Sequence, residues 1–181
     1  MSSPLSQDYF QLFGFPRTYQ IDSDTLMQRY RELQHSAHPD RFASASGQER
    51  RLSVQTAAHI NEAYQTLKSP LLRARYLLEL AGIDAVQQAQ ALGNEFLLEQ
   101  MELREQLADL PEQPDALLAL IDAREDLVRR QRDLQEEFAA LAEDMENGDS
   151  APVAHAVFNK MQFFHRLLEE VDMLEERLQE S

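Results

Sequence analysis

The chain has 181 residues, of which 43% are hydrophobic and 27% are charged, and it contains no cysteine. This composition predicts a globular protein of one or two small domains, and it excludes disulfides and thiolate metal sites. The net charge of −15 is uneven: residues 1–80 carry nine Lys and Arg against eight Asp and Glu, and residues 81–181 carry eight against 24. The acidic second half disfavours binding to nucleic acid or anionic membrane, because phosphate recognition needs clustered cations.

The first half of the chain has the apolar spacing of helices and no alternating pattern typical of strands. Proline, glycine and capping signals place the helix ends. The predicted helices are a short one over 8–13, a second from Asp22 or Ser23 to His38, a third over 48–67, and a fourth from Pro70 to a stop at Gly82. These helices make up a predicted domain over residues 1–80, followed by a connection over 81–93.

The second half predicts three longer helices over 94–110, 115–146 and 152–179, which form a domain over residues 94–181. In the middle helix, leucines recur every seven residues, at Leu120, Leu127, Leu134 and Leu141. A facing apolar stripe on the last helix favours an antiparallel three-helix bundle. A long coiled coil is the alternative, but Arg124 and Gln131 interrupt its seam. The predicted fold is therefore all-α.

The tripeptide His38-Pro39-Asp40 lies between the second and third helices. Pro39 disfavours the α conformation at His38, so the second helix is expected to end there. Arg29 and Arg31 lie off the apolar stripe of that helix, on faces expected to meet water. From the tripeptide alone, a simple turn with a side-chain cap is the more frequent structure.

The helix over 94–110 carries more apolar residues than one buried stripe requires. Phe96, Leu103, Leu107 and Leu110 share the sector expected to face the core. The opposite sector holds Leu97, Leu98, Met101, Glu102, Glu105 and Asp109. By periodicity alone, this second face either binds a partner or packs against the first domain. Phe163, at the edge of the stripe on the last helix, is either core edge or part of the same surface.

The segment "HSAHPDRF" with its flanking helices resembles the J-domain of co-chaperones. The segments "SPLLRARYLLELAG", "FLLEQMELREQL" and "KMQFF" resemble the HscB family, J-domain co-chaperones of iron–sulphur cluster assembly. The likeness covers essentially the whole chain. The absence of a Cys-rich zinc element makes the chain similar to the bacterial branch of that family.

The resemblance implies two partners, each with its own contact residues. A DnaK-type ATPase chaperone (HscA-like) would contact His38, Pro39, Asp40, Arg29, Arg31 and Arg41, and its ATPase would be stimulated. An iron–sulphur scaffold protein (IscU-like) would contact Leu97, Leu98, Met101, Glu102, Glu105, Asp109 and Phe163. Two positions depart from the family: Arg41 stands where Lys is usual, and Asp109 stands where Glu is frequent.

The expected function is that of a co-chaperone with no catalytic residues, no cofactor and no metal. Its histidines form no HExxH or Cys/His pattern, which disfavours a metalloenzyme. The N-terminus lacks the features of a secretory signal or a transit peptide, so a cytoplasmic location is expected. The alternatives are a J-domain adaptor for another client and a purely structural helical interaction protein.

Overall fold

The computed structural model of the protein describes residues 4–37, 46–83, 93–145 and 150–180. All regular elements within these residues are helical, which confirms the all-α fold class. The α-helices are α1 (Tyr9–Leu12), α2 (Ser23–Ala37), α3 (Gly47–Lys68), α4 (Pro70–Leu80), α5 (Asn94–Asp109), α6 (Ala116–Glu143) and α7 (Ala151–Gln179). Short 3-10 helices cover Pro4–Ser6 and Leu110–Glu112.

The chain divides into two compact units, the first ending at Leu77 and the second beginning at Leu78. The division falls inside α4, shortly before the end of the predicted first domain at residue 80. In the ranges described above, no helix is both long enough and apolar enough to cross a bilayer.

Local signals account for the helix ends. The Thr25 amide donates to Asp22 Oδ2 at 2.8 Å in front of α2, and hydrogen bonds from Thr25 lower the pKa of Asp22. Ser46 caps α3 through a capping box with Glu49. The α-helical part of α6 ends at Glu143, earlier than the predicted residue 146, and the following amide bonds back to the Leu141 carbonyl.

In the first unit, α2 and α3 form an antiparallel hairpin. The rings of Tyr30 and Tyr64 stack with their centroids 4.1 Å apart. The Tyr30 hydroxyl and the Gln34 amide both donate to Asn61 Oδ1, at 2.8 and 2.5 Å. Because Tyr30 and Gln34 both reach the same turn of α3, the hairpin has a defined register. It brings the end of α2 and the start of α3 together on either side of residues 38–45.

Arg73 of α4 is a buried cation inside the first unit. Its Nη1 donates to the Leu67 carbonyl at 3.0 Å, and its guanidinium carbon lies 5.0 Å from the centroid of the Tyr19 ring. Burial raises the pKa of Tyr19 to about 12, and Arg73 opposes part of this shift. Arg73 therefore stabilises the α3–α4 junction and is not a surface charge.

In the second unit, α5, α6 and α7 form a bundle around one apolar core. Two contacts set α6 antiparallel to α7: Arg124 pairs with Asp172 near the C-terminal end of α7, and Ser150 before α7 donates to the Leu141 carbonyl at 3.2 Å. Glu99 of α5 pairs with Arg130 of α6 at 2.9 Å. The core includes Phe96, Leu107, Leu120, Leu127, Phe163, Phe164, Leu167 and Val171, and Phe138, Phe158 and Met161 of α6 and α7 are also fully buried.

Candidate partner-binding surfaces

One face of α5 is apolar and exposed, while the opposite face is buried in the bundle. The exposed fractions are 47% for Leu97, 60% for Leu98 and 69% for Met101. On the buried face, Phe96 and Leu107 lie in the core. Helical periodicity explains this division, because residues about 180° apart on the wheel cannot both face α6 and α7. The role of the exposed side chains in binding stays a prediction.

Carboxylates border these apolar side chains. Glu102, Glu105 and Asp109 are all exposed on the same side of α5. Glu99 is different, since it is engaged by Arg130 of the neighbouring helix. We use the name α5 surface for Leu97, Leu98, Met101, Glu102, Glu105 and Asp109. Its chemistry suits a partner with an apolar patch and adjacent basic groups.

The structure places Phe163 in the core and not on the α5 surface. Its exposed fraction is 6%, and its ring lies edge-on to Phe96, with centroids 5.5 Å apart. Its position on α7 turns the ring toward α5, which covers it, so Phe163 takes the core position of the two that the sequence left open. Arg104 also lies over the ring, with its guanidinium carbon 5.7 Å from the centroid. In this conformation Phe163 contacts α5 through Phe96 and Arg104.

A second set of exposed aliphatic side chains, which sequence analysis missed, lies on α6. The exposed fractions are 45% for Leu117, 59% for Leu118 and 47% for Ile121. Helical spacing turns these residues away from Arg130, which faces α5. The heptad spacing of the α6 leucines identifies only the buried face of the helix and does not indicate this second, exposed set. Exposure alone therefore does not distinguish the α5 surface from its surroundings.

The predicted chaperone contacts fall mostly on the segment between α2 and α3. His38, Pro39, Asp40 and Arg41 lie outside the described residues. The adjoining structure is described on both sides: α2 ends at Ala37, and Ser46 caps α3.

Arg29 is less exposed than the sequence predicts. It is half-buried, its Nη1 donates to the Phe13 carbonyl at 2.5 Å, and its guanidinium carbon lies 4.4 Å from the centroid of the Phe15 ring. Gly14, between these two aromatic residues, has a φ of +67°, and a Cβ there would come within 3.3 Å of Arg29 Nη1. The turn after α1 thus closes around the guanidinium. Arg31, by contrast, is exposed.

This difference predicts separate effects for the two arginines. Arg29→Glu should lower the melting temperature, because a carboxylate cannot donate to the Phe13 carbonyl and would repel its oxygen. Arg31→Glu should leave the melting temperature within a few degrees and slow association with the chaperone, since exposed charges act mainly on the association rate. Thermal denaturation and stopped-flow binding measure the two effects. Equal melting temperatures for both variants would contradict the structural role of Arg29.

The two histidines of α7 lie in different environments. His155 is buried beside Asn159, and His165 is exposed on α7, 3.6 Å from Glu169. The described part of the chain brings no three His, Asp or Glu side chains together as a candidate metal site.

Comparison with known proteins identifies the family. Residues 92–172 match the family model described as the HSCB C-terminal oligomerisation domain. A co-chaperone protein HscB homologue from Shewanella woodyi is 38% identical over 94% of this chain and 98% of its own length. Another from Vibrio vulnificus is 39% identical over the same shares of the two chains. The solved structure of chaperone HscB from Vibrio cholerae superposes with a TM-score of 0.84 at 38% identity, covering 95% of this chain and 99% of that one. The chain therefore belongs to the HscB family of co-chaperones.

Proposed function

We propose that the protein binds an iron–sulphur cluster scaffold protein through the α5 surface and delivers it to a specialised DnaK-type chaperone. Its J-domain stimulates the ATPase of that chaperone, and the protein itself has no catalytic activity. The observation that carries the proposal is the exposed apolar face of α5, bordered by carboxylates, within the domain that matches the HscB family model. Both proposed partners are expected in the cytoplasm, so we propose that location for this protein.

The two proposed sites lie on separate compact units, one for binding the chaperone and one for binding the scaffold. His38, Pro39 and Asp40, with Arg31 and Arg41, would bind preferentially to the chaperone conformation in which ATP hydrolysis is fast. Arg29 contributes indirectly, because it ties α2 to the turn after α1. The α5 surface would hold the scaffold near the chaperone and raise its effective concentration there.

The proposal is tested by single-turnover ATP hydrolysis with the purified chaperone, the purified scaffold and this protein. We expect this protein alone to accelerate hydrolysis, and scaffold added with it to accelerate hydrolysis beyond the sum of the separate effects. Stimulation without any scaffold binding would identify a J-domain adaptor for another client. No stimulation by the folded protein would favour a purely structural helical interaction protein.

A further inference from the structure

We propose that Arg104 and Lys160 form a cationic edge of the α5 surface that fixes the orientation in which the scaffold docks, by pairing with a carboxylate of the scaffold. This inference rests on the proposed function and adds to it a recognition element of opposite charge. The partner surface it requires is apolar at the centre, basic on one side and acidic on the other.

Both cations lie over aromatic rings of the bundle. The guanidinium carbon of Arg104 lies 5.7 Å from the centroid of Phe163, and Lys160 Nζ lies 5.6 Å from the centroid of Phe96. The two rings are in edge-to-face contact, with centroids 5.5 Å apart. Since the face of an aromatic ring attracts cations, the two positive charges are positioned on neighbouring rings where α5 meets α7.

Around α5, the cationic edge lies on one side of Leu97 and Met101, and the carboxylates lie on the other side together with Leu98. Arg104 follows Leu97 by seven residues, so the two side chains are only about 20° apart around α5. The acidic residues Glu102, Glu105 and Asp109 lie roughly 100° to 160° away from Arg104, past Met101. The α5 surface therefore carries negative charge along one border and positive charge along the other.

Neither cation is neutralised within the described structure. Arg104 is exposed and Lys160 is half-buried, and neither forms an ion pair with a described residue. The positions three and four residues away on their own helices hold no carboxylate: Gln100, Met101, Leu107 and Ala108 around Arg104, and Ala156, Val157, Phe163 and Phe164 around Lys160. In contrast, Arg124 and Arg130 of the same unit are paired with acidic residues. The charges at this edge therefore remain available to a partner.

Opposite charges on two borders discriminate between docking orientations. A partner rotated by half a turn about the surface normal would place its basic groups against Arg104 and Lys160 and its acidic group against the α5 carboxylates. Like charges brought together in this way are unfavourable, so only one orientation is stable. The ring contacts also restrict the Arg104 side chain before binding, which reduces the entropy lost when it pairs.

The test compares Arg104→Glu with Arg132→Glu in binding to the purified scaffold protein. Arg132 is exposed on α6 and forms no ion pair with any described residue, so both variants change the net charge equally. If only the net charge of this protein mattered, the two variants would change binding equally. We expect Arg104→Glu to weaken binding by about fivefold to tenfold, mainly through slower association. Arg132→Glu should bind at least as tightly as the unchanged protein, and Arg104→Lys should retain binding.

Charge exchange on the scaffold identifies the paired group. Each exposed Asp and Glu of the scaffold is changed to Lys and measured against Arg104→Glu, and one of them should restore binding. Equal affinities of Arg104→Glu and Arg132→Glu, or no restoring exchange, would overturn the proposal. Melting temperatures, and Arg104→Gln as a neutral variant, separate lost pairing from a disturbed fold. Scaffold that binds no form of the protein would refute the proposed function itself, whereas equal binding to all forms refutes only this inference.

Discussion

His38→Gln and Asp40→Asn are each expected to abolish stimulation of the chaperone ATPase while leaving the protein folded. Both residues belong to the segment between α2 and α3, and the resemblance to J-domains assigns them to the chaperone contact. The sequence predicts that both lie on a surface loop, where substitutions usually change the free energy of unfolding by no more than about 0.5 kcal/mol. Single-turnover ATP hydrolysis over a range of co-chaperone concentrations measures the loss.

His35→Gln is the matched control for this experiment. His35 is exposed on the last turns of α2 and lies on the same helix that leads to the tripeptide. It should retain stimulation, and all three variants should bind scaffold normally. A folded His38→Gln protein with full stimulation would refute the prediction. Loss of stimulation together with loss of helical circular dichroism would show that the tripeptide is structural.

The triple substitution Leu97→Ser, Leu98→Ser, Met101→Ser is expected to weaken scaffold binding by about tenfold or more. Full burial of one such side chain contributes roughly 1.5–3 kcal/mol, so partial burial of three exceeds the ~1.4 kcal/mol that corresponds to tenfold. The melting temperature should barely change, because these side chains are 47–69% exposed in the protein alone. Isothermal titration calorimetry with purified scaffold measures the change.

The α6 residues provide a control of the same chemistry. Leu117→Ser, Leu118→Ser, Ile121→Ser removes aliphatic side chains that are 45–59% exposed, from the side of the bundle away from α5. Scaffold binding should be unchanged in that protein. If both triple variants lose binding equally, the effect is general apolar adhesion and not a specific α5 surface. Chaperone stimulation measured without scaffold should be normal in both variants.

A buried polar side chain on α6 shows what helical periodicity can and cannot predict. Gln131 lies on the core stripe between Leu127 and Leu134, and the sequence marked it as an interruption that argues against a continuous coiled coil. The structure buries it within the bundle. Spacing identified its face correctly, because the direction of a side chain around a helix depends only on its position along that helix. Spacing did not indicate which side chains would surround it.

The sequence by itself determined the helices, their buried faces and the direction of Leu97, Leu98 and Met101 away from the bundle core. Each of these follows from interactions within a few turns: capping, proline and glycine at the ends, and an apolar period of 3.6 residues. The tripeptide His38-Pro39-Asp40 is also a local signal and needs no tertiary information to be noticed.

Only the tertiary structure decided which cations and aromatic rings are available to partners. Arg29 and Arg31 look equivalent on a helical wheel, yet the turn at Phe13–Phe15 holds Arg29 and leaves Arg31 exposed. The sequence placed Phe163 at the edge of the α7 stripe, and the structure shows that α5 covers it. The contact between the Phe163 and Phe96 rings places Arg104 and Lys160 on one border. These outcomes depend on neighbours supplied by other elements, distant in sequence, and the periodicity of a single helix carries no information about them.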